Sequence, residues 1–163
     1  MNKPKSVCII TGSQSDLDTM QPAIEMLKSF KVGFEFKVLS AHRTPKELVR
    51  FVEKASIKGV KVFITAAGMS AALSGVVAAH TVLPVIGVPV ESGRLKGLDA
   101  LLSTVQMPPG VPVACMAIGR AGAKNASLLA LAILALQDKK ISSQLVSYRN
   151  QMRKKIKKIK VKV

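Results

Sequence analysis

Short β-branched apolar runs alternate along the chain with longer segments of helical periodicity. Val7 to Thr11 reads as a first strand, closed by the turn Gly12-Ser13-Gln14-Ser15-Asp16 and followed by a helix to about Phe30. Pro22 falls inside that helix, where it removes a hydrogen bond unless it lies in the first turn, so a start at Thr19 rather than Ser15 is expected. A second strand spans Phe34 to Leu39, and Pro45 suits the first position of a helix running to about Ile57. A third strand, Lys61 to Thr65, leads through Ala66 to Ser70 into a helix of small residues toward His80. A fourth, Val85 to Val88, ends at Pro89, with a helix near Leu95 to Ser103 behind it. The fifth is Val113 to Ile118, and Gly119 to Gly122 then opens a long apolar helix from Ala123 toward Asp138. A last helix runs from Ile141 to about Lys155. Strands that alternate with helices imply a parallel sheet covered on both faces, so the expected fold is a three-layer α/β domain with five parallel strands and a C-terminal helix.

Composition narrows the class. With 163 residues and 48% hydrophobic content the chain is one ordinary domain with material for one core, which excludes disorder over most of its length. Every apolar run is broken before the roughly 18 residues a membrane span needs. The apolar stretch after Met1 to Lys5 is too short for a secretory signal, so the cytoplasm is the expected compartment. Cys8 and Cys115 both lie in strand-like runs and read as small buried hydrophobes rather than a disulfide or metal pair. The formal charge is +16, but Arg149 to Val163 alone carries eight cations and no acid. The catalytic domain is therefore expected over residues 1–150, with residues 151–163 a basic, solvated tail. One Tyr, no Trp and no zinc-like spacing accompany that tail, so a nucleic-acid partner is not expected.

In an open parallel sheet the ligand lies beyond the carboxyl ends of the strands, which directs attention to the loops after strands one to four. The first, Gly12 to Asp16, sets two hydroxyls and an acid at a helix start. Backbone N–H groups favour an anion there, though Ser15 or Asp16 can equally serve as a helix cap, and the two roles are compatible. The second, Ser40-Ala41-His42-Arg43-Thr44-Pro45, places an imidazole beside a guanidinium. Arg grips phosphate through paired N–H donors, and imidazole, with an ordinary pKa near ~6.5, carries protons in either direction at neutral pH. The third, Ala66 to Gly75, is built of tiny side chains, which admit close approach of a ligand or tight packing of a helix. His80 falls at the opposite end of the sheet and reads as structural. No acid pair, metal set or nucleophile elbow occurs at these loops, so the expected chemistry is proton transfer on a bound small molecule without metal or organic cofactor.

Five segments together resemble a known family. Gly12-Ser-Gln-Ser-Asp16, Ser40-Ala-His-Arg-Thr-Pro45, Leu83-Pro-Val-Ile-Gly-Val-Pro-Val90, Gln106-Met-Pro-Pro-Gly-Val-Pro-Val113 and Ala121-Gly-Ala-Lys-Asn-Ala126 resemble, in order and spacing, the N5-carboxyaminoimidazole ribonucleotide mutases of purine biosynthesis. The resemblance spans about residues 6 to 150. It implies a flavodoxin-like fold, an octamer with sites between subunits, and conversion of N5-carboxyaminoimidazole ribonucleotide to 4-carboxy-5-aminoimidazole ribonucleotide. It further implies His42 as general acid/base, Arg43 on the phosphate, and Ser13 and Asp16 on phosphate and ribose. Gly12, Ser15, Ser40, Ala41, Ala67, Gly68, Met69, Ser70, Ala72 and Leu73 complete the implied binding site. The chain departs from the commonest mutase pattern, Gly-Ala-Gly-Gly-Ala-Ala-His-Leu-Pro-Gly, in reading Ala66-Ala-Gly-Met-Ser-Ala-Ala-Leu-Ser-Gly75. Ala72 thus replaces a second histidine and Ser74 a proline. That stretch leans toward the related carboxylases, which use free carbon dioxide, so a carboxylase or decarboxylase is the alternative activity.

Overall fold

The computed structural model describes residues 5–159, so Met1 to Pro4 and, from the basic run, Lys160 and Lys162 lie outside the described residues. The strands are β1 (Lys5–Thr11), β2 (Gly33–Val38), β3 (Val62–Gly68), β4 (Val85–Val90) and β5 (Ala114–Cys115). The helices are α1 (Leu17–Ser29), α2 (Pro45–Ile57), α3 (Leu73–Ala79), α4 (Leu98–Val105), α5 (Gly119–Ala135) and α6 (Lys139–Lys157). All strand pairs are parallel and the sheet order is β2-β1-β3-β4-β5, the flavodoxin-like order. Among the described residues no helix is long and apolar enough to cross a membrane.

Alternation along the strands divides the interior in two. Val7, Ile9, Val62, Ile64, Ile86 and Val88 face α1 and α5, where they meet Met20, Leu27, Ala126 and Leu131. Cys8, Ile10 and Phe63 face α2 and α3 and meet Leu48, Val52, Leu73 and Val77. Strands buried on both faces read as continuous apolar runs, which is why β1, β3 and β4 stand out in the sequence. Burial pushes the Cys8 thiol up to about 12; Glu35 adds to the shift while Lys37 and Lys5 oppose it. It is an inert part of the core.

Several boundaries differ from the sequence pattern, each for an identifiable physical reason. A 3-10 turn, Gln14–Asp16, precedes α1, which starts at Leu17, between the two starts considered. Pro22 lies well inside α1, beyond the first turn. It cannot donate to the carbonyl of Asp18, and that carbonyl instead accepts from Arg120 Nη1 at 2.6 Å. β3 continues through Ala66, Ala67 and Gly68, because these three pair with Val88, Pro89 and Val90 of β4. Pro89 accordingly lies within β4 rather than ending it. β5 shrinks to two residues at the sheet edge, paired only with Ile86 and Gly87. α5 begins at Gly119, and within its first turn Gly122 presses against the Ala117 carbonyl so closely that a Cβ there would overlap it. α6 is capped by Asp138, whose carboxylate accepts from the N–H groups of Lys140 and Ile141. From Arg149 onward its described side chains are all exposed.

Candidate active site

The carboxyl ends of β1, β3 and β4 converge on a cavity of about 500 Å³, a size ordinary for a small-molecule site. Four connections wall it. The β1–α1 connection supplies Gly12, Ser13, Ser15 and Asp16; β2–α2 supplies Ser40, Ala41, His42 and Arg43. The end of β3 and the start of α3 supply Ala67, Gly68, Met69, Ser70, Ala72 and Leu73, and the segment after β4 supplies Ser92. Every candidate residue drawn from the sequence therefore lines this one cavity. His80 stands apart at the end of α3, where its Nδ1 lies 3.9 Å from Glu53 Oε1.

The first loop is organised by its own hydroxyls. Ser13 Oγ accepts from the Ser15 backbone N–H at 3.3 Å and lies 2.9 Å from Ser15 Oγ. The Ser15 hydroxyl is also 3.4 Å from Asp16 Oδ1. Asp16 is only 8% exposed, and burial holds its carboxyl above the ordinary range against the opposing pull of Ser15, the Ser13 backbone and Arg43.

Arg43 ties the second loop to the first. Its Nη2 donates to the Gly12 carbonyl at 2.7 Å and its Nε to Ser40 Oγ at 3.4 Å. A guanidinium has five N–H donors, so three remain for an anion on the exposed side. The loop itself is stiffened by Thr44, whose Oγ1 accepts from Ser40 N at 2.9 Å and whose N–H donates to Ser40 O at 3.0 Å. His42, next in chain to the tethered Arg43, is exposed to the cavity mouth, and no other side chain among the described residues holds its imidazole.

The third wall brings backbone close to the cavity. Gly68 faces Ser92, and a Cβ on Gly68 would collide with the Ser92 hydroxyl, so only glycine fits. That hydroxyl is buried and without a partner among the described residues. Ser92 is the one lining residue the sequence did not single out. Met69 has φ +56°, a left-handed conformation that costs a residue other than glycine about 1–2 kcal/mol. The Ser74 hydroxyl does not face the cavity chemistry at all. It is buried, 2.8 Å from Thr65 Oγ1, and so serves the packing of α3 on β3. Ala72 caps α3 with a side chain that neither donates nor accepts.

Known proteins resemble this chain over most of its length. A family model described as AIR carboxylase matches residues 6–155. The N5-carboxyaminoimidazole ribonucleotide mutase of Methanocaldococcus jannaschii is 54% identical over 150 residues, 92% of each chain. That of Brucella melitensis is 52% identical over 143 residues, 88% of each, and that of Escherichia coli K12 is 49% identical over 148 residues, 91% of this chain and 88% of the relative. The crystal structure of Treponema denticola PurE superposes with a TM-score of 0.84 at 33% identity, covering 92% of each chain.

Proposed function

The chain belongs to the AIR carboxylase family, and from that premise we propose that it acts in purine biosynthesis as a mutase, converting N5-carboxyaminoimidazole ribonucleotide to 4-carboxy-5-aminoimidazole ribonucleotide. The observation that carries this reading is the pairing, on one cavity, of a tethered guanidinium with an exposed imidazole. Arg43 and the Ser13 hydroxyl hold the phosphate, and Asp16 takes the ribose hydroxyls. The remote phosphate then supplies binding energy that holds the reacting imidazole ring in place.

His42 carries the protons. Its imidazolium protonates the carbamate nitrogen, the N–C bond breaks with its electron pair moving to that nitrogen, and carbon dioxide is left beside the ring. C4 of the ring attacks the carbon of carbon dioxide, forming the new C–C bond. The now neutral His42 removes the C4 proton, which restores aromaticity and returns the imidazolium. Atoms and charge balance, as an isomerisation requires. Asparagine in place of His42 keeps the size and polarity of the side chain but carries no proton. His42→Asn is expected to lower kcat by about 100-fold or more while KM changes little; unchanged kcat would contradict the role.

Ala72 favours a second reading, an enzyme of the same family that takes up or releases free carbon dioxide, because no imidazole stands there to hold the carboxylate. We further propose an octamer with sites shared between subunits. The resemblance supports it, as does the apolar stripe Leu95, Leu98, Leu102 and Val105, half or more exposed along and before α4. On this reading the enzyme works in the cytoplasm on a soluble nucleotide.

A further inference from the structure

The short helix α3 carries part of the cavity wall at its start, yet little at that turn holds it in place. Ala72 at its N-cap supplies no side-chain cap, and seven residues are too few for a helix to stand without packing. Upstream, Met69 holds a left-handed backbone, so the wall from Met69 to Ala72 hangs between the end of β3 and the start of α3. What fixes that start is a pair of buried hydroxyls. Ser74, the second residue of α3, is 2% exposed, and its Oγ lies 2.8 Å from Oγ1 of Thr65, which is fully buried on β3. Thr65 has one hydroxyl hydrogen and donates it to the Ile86 carbonyl of β4 at 3.3 Å, so the hydrogen between the two side chains comes from Ser74. Gly87 of β4 leaves the room for this, since a Cβ there would stand 2.9 Å from Ser74 Oγ. The relay ties α3 to β3 and β4 next to Ala72 and Leu73, which line the cavity.

We propose that Ser74 and Thr65 are a positioning pair for the reaction: their hydrogen bond sets the start of α3 against β3, and with it the wall that keeps freed carbon dioxide beside the ring until C4 captures it. The inference rests on the mutase reading above. Neither side chain lines the cavity, and both are buried within the single chain, so contacts between subunits leave the pair as it is. The commonest mutase pattern has proline where Ser74 stands, and a proline fixes the same first turn through its ring, which presets the helical φ. Ring and hydroxyl are two ways to hold one turn. Carbon dioxide is small and neutral and is retained by the fit of the wall and the exclusion of water, so a loosened start of α3 shows in its fate.

The test removes this restraint in two ways and keeps it in two. Ser74→Ala and Thr65→Val abolish the hydrogen bond. Thr65→Ser keeps the hydroxyl and loses only a methyl group, and Ser74→Pro loses the hydroxyl but fixes the turn. Each protein is given N5-carboxyaminoimidazole ribonucleotide, and free aminoimidazole ribonucleotide released per 4-carboxy product is read beside the melting temperature, with spontaneous release subtracted. Ser74→Ala and Thr65→Val are expected to raise that ratio about threefold or more. Thr65→Ser and Ser74→Pro are expected to retain the ratio of the unsubstituted enzyme, although Thr65→Ser melts lower for its lost methyl group. If Ser74→Ala fails to fold, the two Thr65 variants decide the matter alone. A ratio that follows melting temperature across the variants, or that is equal in all of them, overturns the inference and leaves the mutase reading standing. No 4-carboxy product from the unsubstituted enzyme overturns the mutase reading and the inference with it.

Discussion

At the scale of single residues the site is held in tension between burial and charge. Asp16 has its carboxyl raised above the ordinary range chiefly by burial. Such a group binds its proton more tightly in the folded chain than in the unfolded one. Its contribution to stability is therefore full below the unfolded value of ~3.9 and is lost as pH rises through the raised folded value. At neutral pH the ionised carboxylate costs the fold something. Asp16→Asn is expected to melt above the unsubstituted protein at pH 7, with the gap closing toward pH 4, and to weaken substrate binding about 10- to 100-fold. A lower melting temperature at pH 7 would mean that the local hydrogen bonds outweigh burial. These polar residues were legible in the sequence because short polar runs interrupt an otherwise apolar pattern where strands end. Ser92 was not, since a lone serine between Glu91 and Gly93 looks like any loop. Only its buried, unpartnered hydroxyl against Gly68 sets it apart, and that is a fact of three dimensions.

At the scale of elements, five strands and six helices were legible in kind and order, and the misjudged edges trace to contacts between distant segments. β3 runs three residues past its β-branched part because β4 offers partners for Ala66 to Gly68, which no local propensity reports. Pro22 is tolerated inside α1 because Arg120, far along the chain at the start of α5, covers for the N–H it lacks. That compensation makes a direct prediction about how α5 is fastened to α1. Arg120→Ala is expected to destabilise the chain by about 1 kcal/mol. The same change in a Pro22→Ala background should cost close to nothing, because an alanine in place of the proline supplies the N–H that the Asp18 carbonyl lacks. Chemical denaturation of the four proteins gives the coupling directly. Equal costs in both backgrounds would show that Arg120 stabilises through something other than that carbonyl.

At the scale of the molecule, the sheet order places the site. Because all five strands run the same way, the loops after β1, β2, β3 and β4 share one end, and the Arg43 guanidinium, the His42 imidazole and a small-residue wall meet there from separate stretches of the chain. Ala72, standing where the family pattern has an imidazole, makes the fate of the carbon dioxide the point on which the mutase reading turns. The most direct measurement is turnover of the purified protein with N5-carboxyaminoimidazole ribonucleotide in buffer sparged of carbon dioxide and bicarbonate, following 4-carboxy-5-aminoimidazole ribonucleotide and free aminoimidazole ribonucleotide together. Formation of the 4-carboxy product as the main species, at a rate independent of added bicarbonate, is the predicted result. Release of aminoimidazole ribonucleotide alone, with the 4-carboxy product appearing only when carbon dioxide is restored, would contradict it and mark the chain as a carboxylase or decarboxylase.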